Sequence, residues 1–186
     1  MVGDTAVQKF YLKYKNIDKE KEKEDFLNEK NIITQIAHLL DGYGFAPRRL
    51  DLIKLKGPHS ILDLRSLGLG HSSMGSVVSQ IIGVIGRFQF VDLSSNEIDR
   101  NISDTLISEL QNVRIIDLSH NRIGKLGCDR FNWMFRNIKV CLRELFLSDN
   151  AILDNSGCVL ISGLCFYGQL RVLNLNKNSL GRRTAL

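Results

Sequence analysis

The chain has 186 residues, 44% hydrophobic and 24% charged, enough apolar material to bury the core of one ordinary domain without disulfide or metal staples. Its 25 basic and 20 acidic residues leave a net charge of +5, and residues 1–58 hold only 11 of the basic and 9 of the acidic ones. The excess is too mild and too spread out for nucleic-acid binding, and the longest apolar run, Val77 to Gly86, is broken by Ser79, Gln80 and Gly83 and cannot span a membrane.

The opening residues, MVGDTAVQKFYLKYK, lack the apolar core of a signal peptide. Cys128, Cys141, Cys158 and Cys165 form no CxxC pair and no ligand-like spacing with histidine. They read as buried, reduced thiols of an intracellular, cytoplasmic protein. Residues 1–30 read as a charged arm, partly helical or disordered. Its run from Lys19 to Asp25 alternates in sign, as on a solvated helix with pairs such as Glu20–Lys23. Phe10, Tyr14 and Ile17 share one helical face, which also suits a short docking arm, although no heptad pattern is sustained.

A better helix starts at Asn31, a good N-cap, and carries the stripe Ile32, Ile33, Ile36, Leu39 and Leu40 until Gly42 and Gly44 stop it. Leu50 to Leu55 alternates as a strand and ends at Gly57-Pro58. Residues 31–58 are expected to be an N-terminal cap of helix plus strand, covering the apolar cross-section at the start of residues 59–186.

From residue 59 to 186 one pattern recurs. Leu142 to Ile152 reads LRELFLSDNAI, or L-x-x-L-x-L-x-x-N-x-I without its variable positions. Phe88 to Ile98 (FQFVDLSSNEI), Val113 to Ile123 (VRIIDLSHNRI) and Leu170 to Leu180 (LRVLNLNKNSL) repeat it, and His59 to Leu69 (HSILDLRSLGL) is a fainter first copy. The ladder positions Leu67, Asn96, Asn121, Asn150 and Asn178 are spaced by 29, 25, 29 and 28 residues. These copies resemble the leucine-rich repeat family. The long period and helical linkers resemble its ribonuclease-inhibitor-like subclass. The resemblance implies an α/β solenoid of about five repeats, the last incomplete, with parallel strands on a concave face and helices on a convex face.

Between the strands, helical stripes are expected at Val77, Val78, Ile81, Ile82 and Ile85. The next holds Ile102, Leu106, Ile107 and Leu110, capped by Asn101 or Ser103. A third holds Phe131, Met134, Phe135 and Ile138 with Trp133 at its edge. The fourth holds Val159, Leu160, Gly163 and Leu164, then Phe166 and Tyr167, its aromatics read as core. Cys128 and Cys158 read as small fillers near the starts of the last two helices.

Strand alternation leaves columns of residues on the concave face, repeating every 4.8 Å or so. One column runs Asp63, Asp92, Asp117, Phe146 and Asn174. Its neighbour runs Ile61, Phe90, Ile115, Glu144 and Val172. A turn column holds Ser66, Ser95, His120, Asp149 and Lys177, and the strand entrances hold Gln89, Arg114, Arg143 and Arg171. The repeat pattern itself does not demand the three aspartates. They read either as an acidic stripe for a partner's Lys or Arg, or as polar residues on an open face satisfied by Arg65 or Arg114. Phe90 and Phe146 read as interface anchors, unless the N-terminal arm folds back over them.

Catalysis finds little support. Ser94, Ser119 and Ser148 are equivalent repeat positions near His120, Asp92, Asp117 and Asp149, and none sits on a strained nucleophile turn. The stretch GLGHSSMGS after Leu67 lacks the Gly-Lys-Ser/Thr end of a phosphate loop. His38, His59, His71 and His120 are scattered, so neither a metal nor another cofactor is expected.

The expected function is non-catalytic protein binding through the concave face. Asp63, Phe90, Asp92, Ile115, Asp117, His120, Arg143, Phe146 and Asp149 are the partner-binding candidates, and Asn96, Asn121, Asn150 and Asn178 the structural ladder. The partner is expected to be a protein, with a basic surface if the acidic stripe is functional. The alternatives are an enzyme regulator of the ribonuclease-inhibitor or Ran GTPase-activating type, or a scaffold in a cytoskeletal or ciliary assembly. After Leu180 only GRRTAL remains, so the fifth repeat lacks its helix. That reads as a fragment of a longer protein, or as an edge covered by a partner or a second copy through self-association.

Overall fold

A computed structural model of the protein describes residues 61–70 and 75–184. The expected arm (1–30) and cap (31–58), and the start of the first repeat copy at His59, lie outside the described residues. Within them strands and helices alternate as β1 (Ile61–Asp63), α1 (Gly75–Ile85), β2 (Phe90–Asp92), α2 (Arg100–Ser108), a 3-10 turn (Leu110–Asn112), β3 (Ile115–Asp117), α3 (Gly124–Asn137), β4 (Glu144–Phe146), α4 (Asp154–Tyr167) and β5 (Val172–Asn174). The strands form one parallel sheet in sequence order, an α/β arrangement compatible with a leucine-rich repeat solenoid.

Each strand is only three residues long because the chain must then turn back toward the helix layer. Ser66, Ser95, His120, Asp149 and Lys177 take the left-handed conformation at that turn, with φ between 54° and 57°. A side chain in that region costs about 1–2 kcal/mol, so something must hold the turn. The ladder asparagines do so. The Asn121 Oδ1 accepts the backbone N–H groups of Asn96 and Ile98 at 3.2 and 2.9 Å, and its Nδ2 donates to the carbonyls of Leu93, Leu118 and Ser119. Asn178 repeats this in the last repeat, accepting from Asn150 and Ile152 and donating to Leu147, Leu175 and Asn176. Each asparagine thus ties the preceding turn to its own.

The core lies between sheet and helices. Leu62, Val91, Ile116 and Leu145 from the strands meet Ile81, Ile85, Leu106, Ile107, Phe131, Met134, Leu160 and Leu164 from the helices, all buried. Phe135 stacks between Phe131 and Tyr167, and the Tyr167 hydroxyl donates to the Leu142 carbonyl at 2.7 Å.

Three local expectations need correction. Asp99, not Asn101 or Ser103, caps α2, because its carboxylate accepts from the N–H groups of Asn101 and Ile102. Phe166 is 63% exposed rather than core. The buried stripe of α4 passes through Leu160, Gly163, Leu164 and half-buried Tyr167, leaving Phe166 one position off. Cys128 is buried and Cys158 half-buried, but Cys141 and Cys165 are exposed. After β5 no helix follows among the described residues, and residues 181–184 contact the start of α4. The Asp154 carboxylate accepts from the N–H of Gly181, the N–H of Thr184 and the Thr184 hydroxyl at 2.7–3.0 Å.

Candidate functional site

Strand register brings the two sequence columns together on the sheet face away from the helices. Ile61, Phe90, Ile115, Glu144 and Val172 are successive partners, as are Asp63, Asp92, Asp117, Phe146 and Asn174. Their exposure divides in a way the sequence reading did not anticipate. Ile61, Phe90 and Ile115 form a separate buried apolar cluster with Phe146 packed at its margin. Asp63 and Asp92 are buried as well, at 5% and 3% exposure. Five residues read as facing an open groove are therefore covered: Ile61, Asp63, Phe90, Asp92 and Ile115.

The acidic stripe also has a local cause. The Asp92 Oδ1 accepts the Ser94 N–H at 3.0 Å and the Ser94 hydroxyl at 2.7 Å. Asp117 accepts from Ser119 N–H at 2.8 Å, and Asn174 from Asn176 N–H at 3.1 Å. Asp63 holds Arg65 N–H the same way, at 3.3 Å. A side chain reaching the N–H two residues on is an Asx turn, which ends each strand and starts the left-handed bend. The fold thus does favour Asp or Asn here, contrary to the sequence reading, and Phe146 is the departure from the rule.

Arg65 offsets much of the charge that accumulates. Its guanidinium forms a two-pronged pair with Asp63, at 2.8 Å from Nε and 2.6 Å from the terminal nitrogen, while Nε also lies 3.4 Å from Asp92. The neighbouring carboxylates hold the guanidinium pKa above its ordinary value, the hydrogen bond to Asp63 contributing most. Burial nevertheless dominates at Asp92. It raises that carboxyl to about 6, against the lowering effect of the Ser94 hydrogen bonds.

The other half of the face is more open. Asp117, Arg143, Glu144 and Phe146 are half-buried, while Arg114, His120, Asp149, Arg171 and Val172 are exposed or nearly so. The His120 Nδ1 lies 3.0 Å from the Asp149 carboxylate, joining neighbouring turns. Arg143 donates to the side chain of Gln169 at 2.6 Å, which steadies the guanidinium beside the strand entrance. The candidates Asp117, His120, Arg143, Phe146 and Asp149 thus lie together across β3, β4 and their turns.

Two of the residues considered for chemistry, Ser94 and Gly70, have structural roles. The Ser94 hydroxyl donates to Asp92 within its own Asx turn. In the GLGHSSMGS stretch, Gly70 is required because a Cβ there would run into the Glu97 carbonyl of the next repeat. Among the described residues, no group of His, Cys, Asp and Glu is placed to hold a metal ion, and no helix is long and apolar enough to cross a membrane.

One surface escaped the sequence reading. A groove of about 640 Å³ runs between α2 and α3, lined by Asn101, Asp104, Leu126, Asp129, Arg130 and Trp133. Leu126 and Trp133 are 51% and 43% exposed, and the Arg130 guanidinium lies 4.4 Å from the Trp133 ring centroid. Their seven-residue separation on α3 marks a shared outer face, a signal available in the sequence.

Residues 109–131, spanning the 3-10 turn, β3 and the first half of α3, match a family model described as Leucine Rich repeat. With the five in-register strands and their asparagine ladder, that match supports a leucine-rich repeat protein. No curated protein matches the chain. Leucine-rich repeats generally serve as protein-interaction modules, and that general class is the one supported here.

Proposed function

We propose that this chain is a non-catalytic interaction module that binds a protein partner through the β3–β5 half of its concave face. The single observation that carries this reading is the change at Phe146. Where three of the other four repeats place Asp and one Asn, each ending its strand by an Asx turn, this repeat places an aromatic ring, half-buried and flanked by Asp117 and Glu144. A rigid apolar side chain ringed by charged groups is the composition of an interface anchor. Arg143, His120 and Asp149 supply the polar rim.

The long period and the α-helical linkers favour the ribonuclease-inhibitor-like subclass. A partner with a basic patch fits Asp117, Glu144 and Asp149, which lie at successive positions of the open half. Asp63 and Asp92 are engaged with Arg65 and their own turns, so they contribute field rather than contacts.

The test is capture from a lysate of the source cells, comparing the wild-type chain with Phe146→Ala and Asp117→Lys. Both variants should keep the wild-type circular dichroism and lose the same partner. Retention of every captured protein by both variants overturns the reading. Leu126→Glu/Trp133→Ala on the convex groove serves as the control that should change nothing.

A further inference from the structure

We infer that the outer edge of β5 is a docking site for an extended, acidic segment of a partner protein, separate from the concave face proposed above. Among the described residues β5 has β4 on one side and no strand on the other. The fourth repeat shows what such an edge normally buries. There Leu142, Leu145, Leu147 and Ile152 are all 0% exposed. Their equivalents Leu170, Leu173, Leu175 and Leu180 are only half-buried, and Val172 is 39% exposed.

The backbone repeats the contrast. The N–H groups of Leu147 and Asp149 donate to the carbonyls of Asn174 and Asn176, and those of Asn150 and Ile152 to the Asn178 Oδ1. One repeat on, the corresponding N–H groups of Leu175, Lys177, Asn178 and Leu180 have no acceptor among the described residues. Free backbone donors beside an apolar strip are the template that an added strand completes. A side-chain oxygen on that strand takes the place of a ladder asparagine at Asn178 and Leu180.

Charge selects the occupant. Residues 170–184 carry Arg171, Lys177, Arg182 and Arg183 and no acidic side chain. Arg183 donates to Asn155, whereas the side chains of Arg171, Lys177 and Arg182 make no ion pair and no hydrogen bond among the described residues. Asp154, the carboxylate that residues 181–184 contact, is engaged with Gly181 and Thr184. A second copy fits poorly. Two β5 edges brought together on a two-fold axis put Arg171 of one chain near Lys177 of the other, like charges with no acid between them. An acidic extended segment meets every requirement. It brings carbonyl and carboxylate oxygens to the free donors, apolar side chains at alternate positions to Leu173 and Leu175, and negative charge to Arg171 and Lys177.

The experiment titrates the isotope-labelled full chain with a short peptide of alternating glutamate and valine, and with its counterpart carrying lysine for each glutamate. With the acidic peptide, the amide resonances of Leu175, Lys177, Asn178 and Leu180 should shift and exchange more slowly with solvent. The lysine peptide should leave them unchanged. Arg171→Glu/Lys177→Glu should weaken binding of the acidic peptide roughly tenfold. Perturbation of these amides by both peptides, or by neither, overturns the inference. So does a concentration-dependent dimer that protects them with no peptide added, which makes the edge an interface between copies of the chain. If the double variant folds poorly, the comparison of the two peptides on the wild-type chain decides alone. The affected amides lie on β5 and its turn, so a failure here leaves the capture result standing, and a failed capture leaves this edge standing.

Discussion

Replacing Asn121 by alanine tests whether the ladder asparagines hold the repeats together. The side chain is buried and accepts two backbone N–H groups at 3.2 and 2.9 Å while donating to three carbonyls. Alanine leaves both N–H groups with no partner and little water, at about 1–3 kcal/mol each. The carbonyls lose less, since each has a second lone pair. A total of ~3–4 kcal/mol results, a large part of the roughly 5–15 kcal/mol that holds a domain folded. With a urea slope of about 2 kcal/mol/M, the midpoint should fall by ~1.5–2 M. Trp133 in α3 reports on the same region by fluorescence, with far-ultraviolet circular dichroism alongside. Asn178→Ala is the internal comparison. It removes the same pattern of bonds at a half-buried position that water can reach, so its midpoint should fall by no more than about 0.5 M. Equal drops for the two variants would refute the argument that burial of the ladder, rather than its bond count, sets its contribution.

Other substitutions probe separate parts of the account. Asp92→Asn should remove a pH dependence. The folded carboxyl sits at about 6 against the ordinary 3.8, so folding favours the protonated form. That contribution is whole below pH 4 and is lost as pH rises through 6, and the two-unit difference corresponds to ~3 kcal/mol. The wild-type urea midpoint should therefore drop more than the variant's between pH 4.5 and pH 7.5, and parallel profiles would count against it. Gly163→Ala should destabilise by about 1–3 kcal/mol despite alanine's better helix propensity, because the new Cβ would sit 2.7 Å from the Asn132 Cα where α4 crosses α3. A melting temperature equal to or above wild type contradicts it. Tyr167→Phe deletes the hydroxyl that donates to the Leu142 and Val140 carbonyls, and should lower stability by about 1 kcal/mol with no change in circular dichroism.

Much of the fold was legible because repeat geometry turns sequence spacing into spatial position. Each copy puts its second and third leucine positions into the core, and the ladder asparagine comes at a fixed offset. The columns therefore appear in the observed register, from Ile61 beside Phe90 to Phe146 beside Asn174. That Phe90 is fully buried was not legible, since strand alternation says which face a side chain takes and not how exposed it is there. The aspartates were misread for a different reason. Alternation says which face Asp92 occupies but not that its carboxylate reaches the Ser94 N–H two residues on. Phe166 shows a phase error of one residue, enough on a helix to carry a ring from core to solvent. The groove beside Leu126 and Trp133 was overlooked because Trp133 was placed only at the edge of the stripe of Phe131, Met134 and Phe135, and Leu126, seven residues earlier on the same outer face, was not paired with it.

The most direct test of the central claim is hydroxyl-radical footprinting of the full chain, with and without the partner captured by the wild type. Phe146 is the reporter on the concave face, and Trp133 and Phe166 are exposed reporters on the helical side. Protection of Phe146 with Trp133 and Phe166 unchanged is the predicted result. Protection of Trp133 or Phe166 while Phe146 labels as before would contradict it and move the binding surface to the helices.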